Sequence, residues 1–287
     1  MIENRTFYGR ENGRAAGGVC VKKYLSVFRI RFIHNLQYRA VLFGEMAARF
    51  GWGIMEILAF AAFYCASPDS FPMTFSQTVS YLWMQEILLV LFSVVFQDGE
   101  IYASLQDGSI AYELVRPMSL YGRWFSQSAA NRLSFTLLNC APAFLLALIV
   151  PAPYRMTLPP NAMQLLLFLL STLLALGVVV AFAMLMYISL FYTISQRGVK
   201  IIVSALTGFL SGAVIPLPFF PAPVLAVVQY LPFAAMQNMP LRIYSGHIAG
   251  TAALAGIVFQ VFWLAALVLA GRLAMRRALQ KVVVQGG

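Results

Sequence analysis

Charge is what this sequence has least of. Only 10% of its residues are Asp, Glu, Lys or Arg, against roughly 25% in a soluble domain. A water-exposed surface cannot be assembled from so few ionised groups, so most of the surface must face lipid. Acids are scarcer than bases, and none occurs beyond Glu113, which removes carboxylate chemistry from the whole C-terminal half. Histidine is nearly missing. His34 and His247 lie far apart, there is no H-E-x-x-H, and no acid stands near His247, so neither a zinc protease site nor a Ser/His/Asp set can be assembled. The three cysteines, Cys20, Cys65 and Cys140, are odd in number and widely spaced, giving neither a disulfide framework nor a metal site. There is no G-x-x-x-x-G-K-[ST] phosphate loop. The chain is therefore expected to be no enzyme and to hold no cofactor or metal of its own. Any energy that moves it must come from outside.

What the chain does have is apolar length. It is 61% apolar, with a mean hydropathy of +0.78. Several runs approach the roughly 20 residues a helix needs to cross the hydrocarbon core, and they do not alternate with the period of two expected of a barrel. The expected fold class is an all-α polytopic membrane protein. It has six transmembrane helices, an N-terminal interfacial amphipathic helix, and a re-entrant external segment before the last span. Residues 1–20 are expected to be a disordered cytoplasmic tail and 21–287 a single transmembrane domain. The first apolar run starts near Ala40, behind a long basic leader, which is not the layout of a cleavable signal. In residues 21–39, Val21, Leu25, Phe28, Phe32 and Leu36 recur at helical spacing opposite Lys22 and Arg29. This suits a helix lying on the membrane or an extension of the first span.

The spans are placed at about 41–64, 78–97, 125–150, 162–192, 199–215 and 248–271. The leader, the insert from Asp98 to Trp124, the turn at 193–200 and the tail hold most of the Lys and Arg. The opposite connections hold only Arg155 and Arg242. The positive-inside rule then puts both termini in the cytoplasm. This sorting accounts for the net charge of +10 without a nucleic-acid partner.

A few polar residues interrupt the spans. Glu45 and Arg49 are one helical turn apart, and Trp52 and Glu56 continue their face. Glu86, Ser93 and Gln97 share a second face. Counting 1.5 Å per residue puts Glu56 and Glu86 both roughly 12 Å below the outer surface. At matched depth they can bind a cationic substrate, carry protons, or simply bond to neighbouring helices. Ser204, Gly208 and Gly212, each four apart, suit a close helix contact within or between subunits. Before the last span comes PLPFFPAP, Pro216–Pro223, too apolar for a free loop and too broken for a span.

Two stretches carry a family resemblance. GSIAYELVRPMSL, Gly108–Leu120, is similar to a G-x-[IL]-x-x-x-L-x-R-P-x-S pattern. SGAVIPLPFFP with VVQYLPF, within Ser211–Phe233, is similar to an external region of the same proteins. With the order of elements, they resemble the permease subunits of type-2 ABC transporters, of the ABC-2 family with an ABCG-like exporter fold, in a bacterial branch of stand-alone permeases. The resemblance implies a permease that pairs with a second, homologous or identical permease in membrane lipid. It also implies a cytosolic ABC ATPase dimer that carries the ATP and Mg. It makes Ile110–Val115 a coupling helix, with Gly108, Ile110, Tyr112, Glu113, Leu114, Arg116 and Pro117 at the ATPase contact. Glu113 and Arg116 are its polar contacts, and Pro117 ends it. Glu56, Glu86, Ser93, Ser204 and Gly208 would lie along the translocation path. Pro216, Pro218, Phe219, Phe220 and Pro221 would form an external lid. The rival from another class is a proton- or sodium-driven secondary transporter working through Glu56 and Glu86.

Overall fold

The computed structural model describes residues 16–35, 42–67, 71–95, 99–106, 109–193 and 196–280. Of the expected tail at 1–20, residues 1–15 lie outside the described residues and 16–20 are the helical start of α1; the side chain of Glu45 lies outside the described residues too. The described residues form helices and no strands. In chain order these begin α1 (Ala16–Asn35), α2 (Leu42–Ala66), α3 (Phe75–Ile87) and α4 (Leu89–Phe92). Next come α5 (Gly99–Gln106), α6 (Ile110–Leu114), α7 (Leu120–Ile149), α8 (Ala162–Ser189) and α9 (Gln196–Leu210). The last are α10 (Ala222–Val228), α11 (Met239–Tyr244) and α12 (Gly250–Leu279).

Helix starts are written locally. Thr74 caps α3 in a reciprocal box: its hydroxyl accepts the Gln77 amide at 3.3 Å, and the Gln77 side chain accepts the Thr74 amide at 3.0 Å. Ser119 and Asn161 accept the amides of Gly122 and Gln164 and so open α7 and α8.

Four helices among the described residues are long and apolar enough to cross a membrane: α2 from Ala47 to Ala66, α7, α8 and α12. The chain is thus a multi-pass membrane protein. The places expected for the second and fifth spans hold shorter pieces. At 13 residues, α3 is about 20 Å long, and the chain breaks at Leu88 before the single turn of α4. At 15 residues, α9 is about 22 Å long. Gly212 stops it, with a φ of +83° and a Cβ position only 3.0 Å from the Leu217 amide nitrogen. Gly212 therefore serves as a turn residue, not as the third member of a small-residue stripe, because only glycine adopts that backbone without strain.

The core is a packed pair, α8 against α12, with α7, α3 and α11 around it. Gly177 lets the pair close, since a Cβ there would meet Leu264 at 2.9 Å. Gln260, fully buried on α12, accepts from the Ser171 hydroxyl at 2.9 Å and donates to the Ser171 carbonyl at 3.2 Å. It also donates to the Ala235 carbonyl at 2.9 Å, tying the π-helical turn Ala234–Asn238 to the core. Gln260→Leu should cost about 1–3 kcal/mol, because the Ala235 carbonyl loses its donor where no water replaces it. Hydrogen exchange should quicken at 234–238. Unchanged exchange there would show that Gln260 does not hold this turn.

The expected amphipathic helix at 21–39 is present as α1 over its described part, with only some of the apolar stripe packed. Phe28 and Phe32 are half-buried, Val21 and Leu25 are exposed, and Leu36 lies outside the described residues. Ile30 and Ile33, off the stripe, are exposed as well. α1 lies along α7 through polar anchors. Asn35 donates to Asn131 and Ser134 at 2.8 and 3.0 Å. These partners exist because the first half of α7 is polar, and in a low-dielectric setting they outweigh apolar contact.

Candidate functional site

Two places gather the polar residues. The first is the connection between α5 and α7. Its middle is α6, a five-residue helix, so the segment expected to be helical is helical. Ile110 is buried, whereas Tyr112 is 79% and Val115 85% exposed. Arg116 and Pro117 are exposed as well. Glu113 is turned inward: it pairs with Arg123 at 3.1 Å and accepts the Trp124 indole N–H at 2.8 Å. Trp124 is itself fully buried and stacks on Phe191 at 6.3 Å. Glu113 is thus a brace for the loop, while Tyr112, Val115 and Arg116 form its outward face. Gly108 lies outside the described residues.

α1 supports this loop from behind. The Tyr24 hydroxyl accepts the Ser119 amide at 3.1 Å and bonds its Oγ at 2.9 Å, and Lys23 donates to the Pro117 carbonyl at 3.2 Å. Gly122 permits the approach, because a Cβ there would fall 2.7 Å from the Tyr24 ring. Arg31 forms a bidentate pair with Glu100 on α5. Lys200 sits 3.8 Å from the centre of the Tyr102 ring, linking α9 to α5. None of these partners was named from sequence. They are separated by roughly 10 to 100 positions, and their only local signal was an excess of aromatic and basic residues around the insert.

The second place is a cleft between α2, α3 and α7 of about 400 Å³, counting its open mouth. Arg49 and Phe50 line it from α2, Trp83 and Glu86 from α3, and Asn139 and Ala143 from α7. Glu86 is 7% exposed and Asn139 4%. Asn139 donates to the Phe135 carbonyl at 2.7 Å, while its Oδ1 has no partner among the described residues. Phe50 and Trp83 stack at 5.3 Å. Gly53 brings α2 close to Glu86: a Cβ there would lie 3.2 Å from Glu86 Cγ. Glu56 is near enough to interact electrostatically with Glu86, and its buried Oε2 has no hydrogen-bond partner among the described residues. α3 starts at Phe75 rather than 78, so Glu86 lies about 17 Å along it, and Glu56 about 15 Å from the end of α2.

The other residues expected along a path stand elsewhere. Ser93 does not line the cleft; its carbonyl accepts from Arg132 at 3.2 Å. Ser204 is on the exposed face of α9, and Gly208 has open space around it. The proline-rich stretch packs rather than floats. Pro216, Pro218 and Phe220 are buried, and Pro221 is exposed. Phe219 meets Phe60 at 4.9 Å and Phe71 at 5.7 Å. Gln85 donates to the Ala213 carbonyl at 3.1 Å. Beyond it, Arg242 Nε donates to His247 Nδ1 at 3.0 Å. Burial, with the charge of Arg242, holds this imidazole below its usual range, so it stays a neutral acceptor at pH 7.

No group of His, Cys, Asp or Glu among the described residues could hold a metal ion. A family model described as "ABC-2 family transporter protein" matches residues 50–286. No curated protein and no solved structure matches the chain.

Proposed function

The chain belongs to the ABC-2 transporter family, and from that premise we propose that it is the permease of an ATP-driven exporter whose loop around α6 docks on a separate cytosolic ATPase. The observation that carries the proposal is the two-sided build of that loop. Tyr112, Val115 and Arg116 face outward with no role in the fold, while Glu113, Ile110 and Lys23 hold the loop rigid from behind. A docking element has to be stiff to transmit force, and ATPase contact must differ between two permease states for ATP to shift them.

In this arrangement α3 with α4, and α9, act as short second and fifth spans. Both termini are cytoplasmic in a bacterial inner membrane. The pieces from Leu217 to Tyr244 dip into the outer leaflet and return. Two permeases, identical or homologous, pair to form the path. Glu56 and Glu86 lie beside it, Ser93, Ser204 and Gly208 along it, and Pro216 to Pro221 close it outside. ATP and Mg belong to the ATPase dimer. The exposed Val21, Leu25, Ile30 and Ile33 of α1 rest on lipid.

The experiment is transport in vesicles containing the chain and the ATPase that co-purifies with it. Substrate movement should require ATP and survive a protonophore. Movement that continues without ATP and stops with the protonophore would replace this proposal with a secondary transporter working through Glu56 and Glu86.

A further inference from the structure

We propose that the cleft between α2, α3 and α7 binds the ammonium head of an amphipathic organic amine that reaches it sideways from the bilayer. Glu86 supplies the counter-charge, Asn139 Oδ1 accepts an N–H, and Phe50 and Trp83 receive the apolar body. The inference rests on the exporter proposal for its role in transport, but not for binding itself.

Three independent features lead to this ligand chemistry. The first is charge. Arg49 lines the cleft with Glu86, and Glu56 is near enough to add the field of a second carboxylate at Glu86. A carboxylate whose counter-charge is shared with a second carboxylate is costly in a membrane protein's interior, so an additional cation is favoured there. The second is an acceptor with nothing to accept. Asn139 is 4% exposed and lines the cleft, and its Oδ1 has no partner among the described residues. Leaving such an atom unpaired costs about 1–3 kcal/mol, which an N–H donor from a ligand would recover. The third is the wall. The stacked Phe50 and Trp83 rings offer π faces, which attract organic cations.

The same features exclude simpler occupants. Calcium needs six to eight oxygen ligands. The cleft offers Glu86 and one amide oxygen, with apolar groups around them. A neutral hydrocarbon would leave Asn139 Oδ1 unsatisfied. An anion would meet the Glu86 carboxylate and the Asn139 amide oxygen. The enclosed part of the cleft is only about 20 Å³, room for one water-sized group such as an ammonium head, so the apolar body lies in the open mouth.

The test uses the full chain in phosphatidylcholine nanodiscs, without ATP or ATPase, and radiolabelled tryptamine as the probe. Tryptamine should be displaced poorly by 3-ethylindole, which has the ring but no charge. It should be displaced about tenfold less well by its N,N,N-trimethyl analogue than by itself, since that cation has no ammonium N–H for Asn139. Glu86→Gln should weaken tryptamine binding by about 30-fold or more. Asn139→Leu should weaken it about tenfold and remove the preference over the trimethyl analogue. Ala143→Trp, which fills the cleft and keeps the carboxylate, should abolish saturable binding, and it decides the matter if Glu86→Gln does not fold. Equal binding of tryptamine and 3-ethylindole, or unchanged affinity in Asn139→Leu and Ala143→Trp, would overturn the site. A chain that binds tryptamine in this pattern but exports nothing with ATP keeps the site and loses the exporter proposal. One that exports with ATP but does not discriminate the probes does the reverse.

Discussion

Arg132→Leu should lower the midpoint of thermal unfolding by about 10 °C and leave little monodisperse protein after detergent extraction. Arg132 is fully buried in the first half of α7. Its Nε and Nη2 donate to the Ser93 carbonyl at 3.3 and 3.2 Å, and Nη2 also donates to the Val94 carbonyl at 3.1 Å. Nη1 donates to the Ser128 hydroxyl. These are the free carbonyls left where α4 ends at Phe92, and a helix end inside a membrane protein has no water to turn to. Leucine removes the desolvation cost of the guanidinium, which offsets part of the loss. It cannot offset two stranded carbonyls at about 1–3 kcal/mol each, so a net loss on the order of 3 kcal/mol remains. For a chain of this size that is roughly 6–12 °C. Arg132→Lys should fall between, because one ammonium cannot reach as a fork across Ser93 and Val94. A leucine variant that melts within about 2 °C of the parent chain would mean that the end of α4 is satisfied by other groups.

Arg132 also illustrates what could be read from residues alone. The polar run Ser128, Asn131, Arg132 and Asn139 is plain in the sequence. The partner of Arg132 is not, because Ser93 and Val94 lie nearly forty positions earlier and act through backbone carbonyls that no side-chain pattern encodes. The same division holds elsewhere. α8 and α12 announce themselves by length and hydropathy, which are local. The breaks within the expected second and fifth spans are not legible, because hydropathy registers neither the interruption at Leu88 nor the left-handed Gly212. Near the cleft, counting residues brings Glu56 and Glu86 to a similar level on neighbouring helices, and the two do interact. Asn139, the third polar member, needed the crossing of α7 over α2 and α3. Glu113 and Arg116 looked equivalent in sequence, two charges near a helix end. Only the fold separates them, by turning one toward Trp124 and the other toward solvent.

That separation gives the second large effect. Tyr112→Ala with Arg116→Ala should reduce co-purification with the ATPase by at least about 30-fold. Exposed tyrosine and arginine are the residues most often worth 2 kcal/mol or more at a protein contact. The chain's own melting should hardly move, since both side chains are exposed and such substitutions usually stay within about 0.5 kcal/mol. Glu113→Gln should do the opposite. It leaves the outward face in place but weakens the pair with Arg123, whose side chain is 10% exposed against 17% for Glu113, and the bond from Trp124. Melting should drop by a few degrees, and coupling should fall only as far as the loop loosens. Stabilising the loop by ATPase binding should then recover part of the Glu113→Gln loss and none of the Tyr112/Arg116 loss. Normal co-purification and normal substrate-stimulated hydrolysis in the Tyr112/Arg116 variant would remove α6 as the docking element. A Glu113→Gln chain with unchanged melting but no ATPase contact would mean that Glu113 turns outward and touches the partner itself.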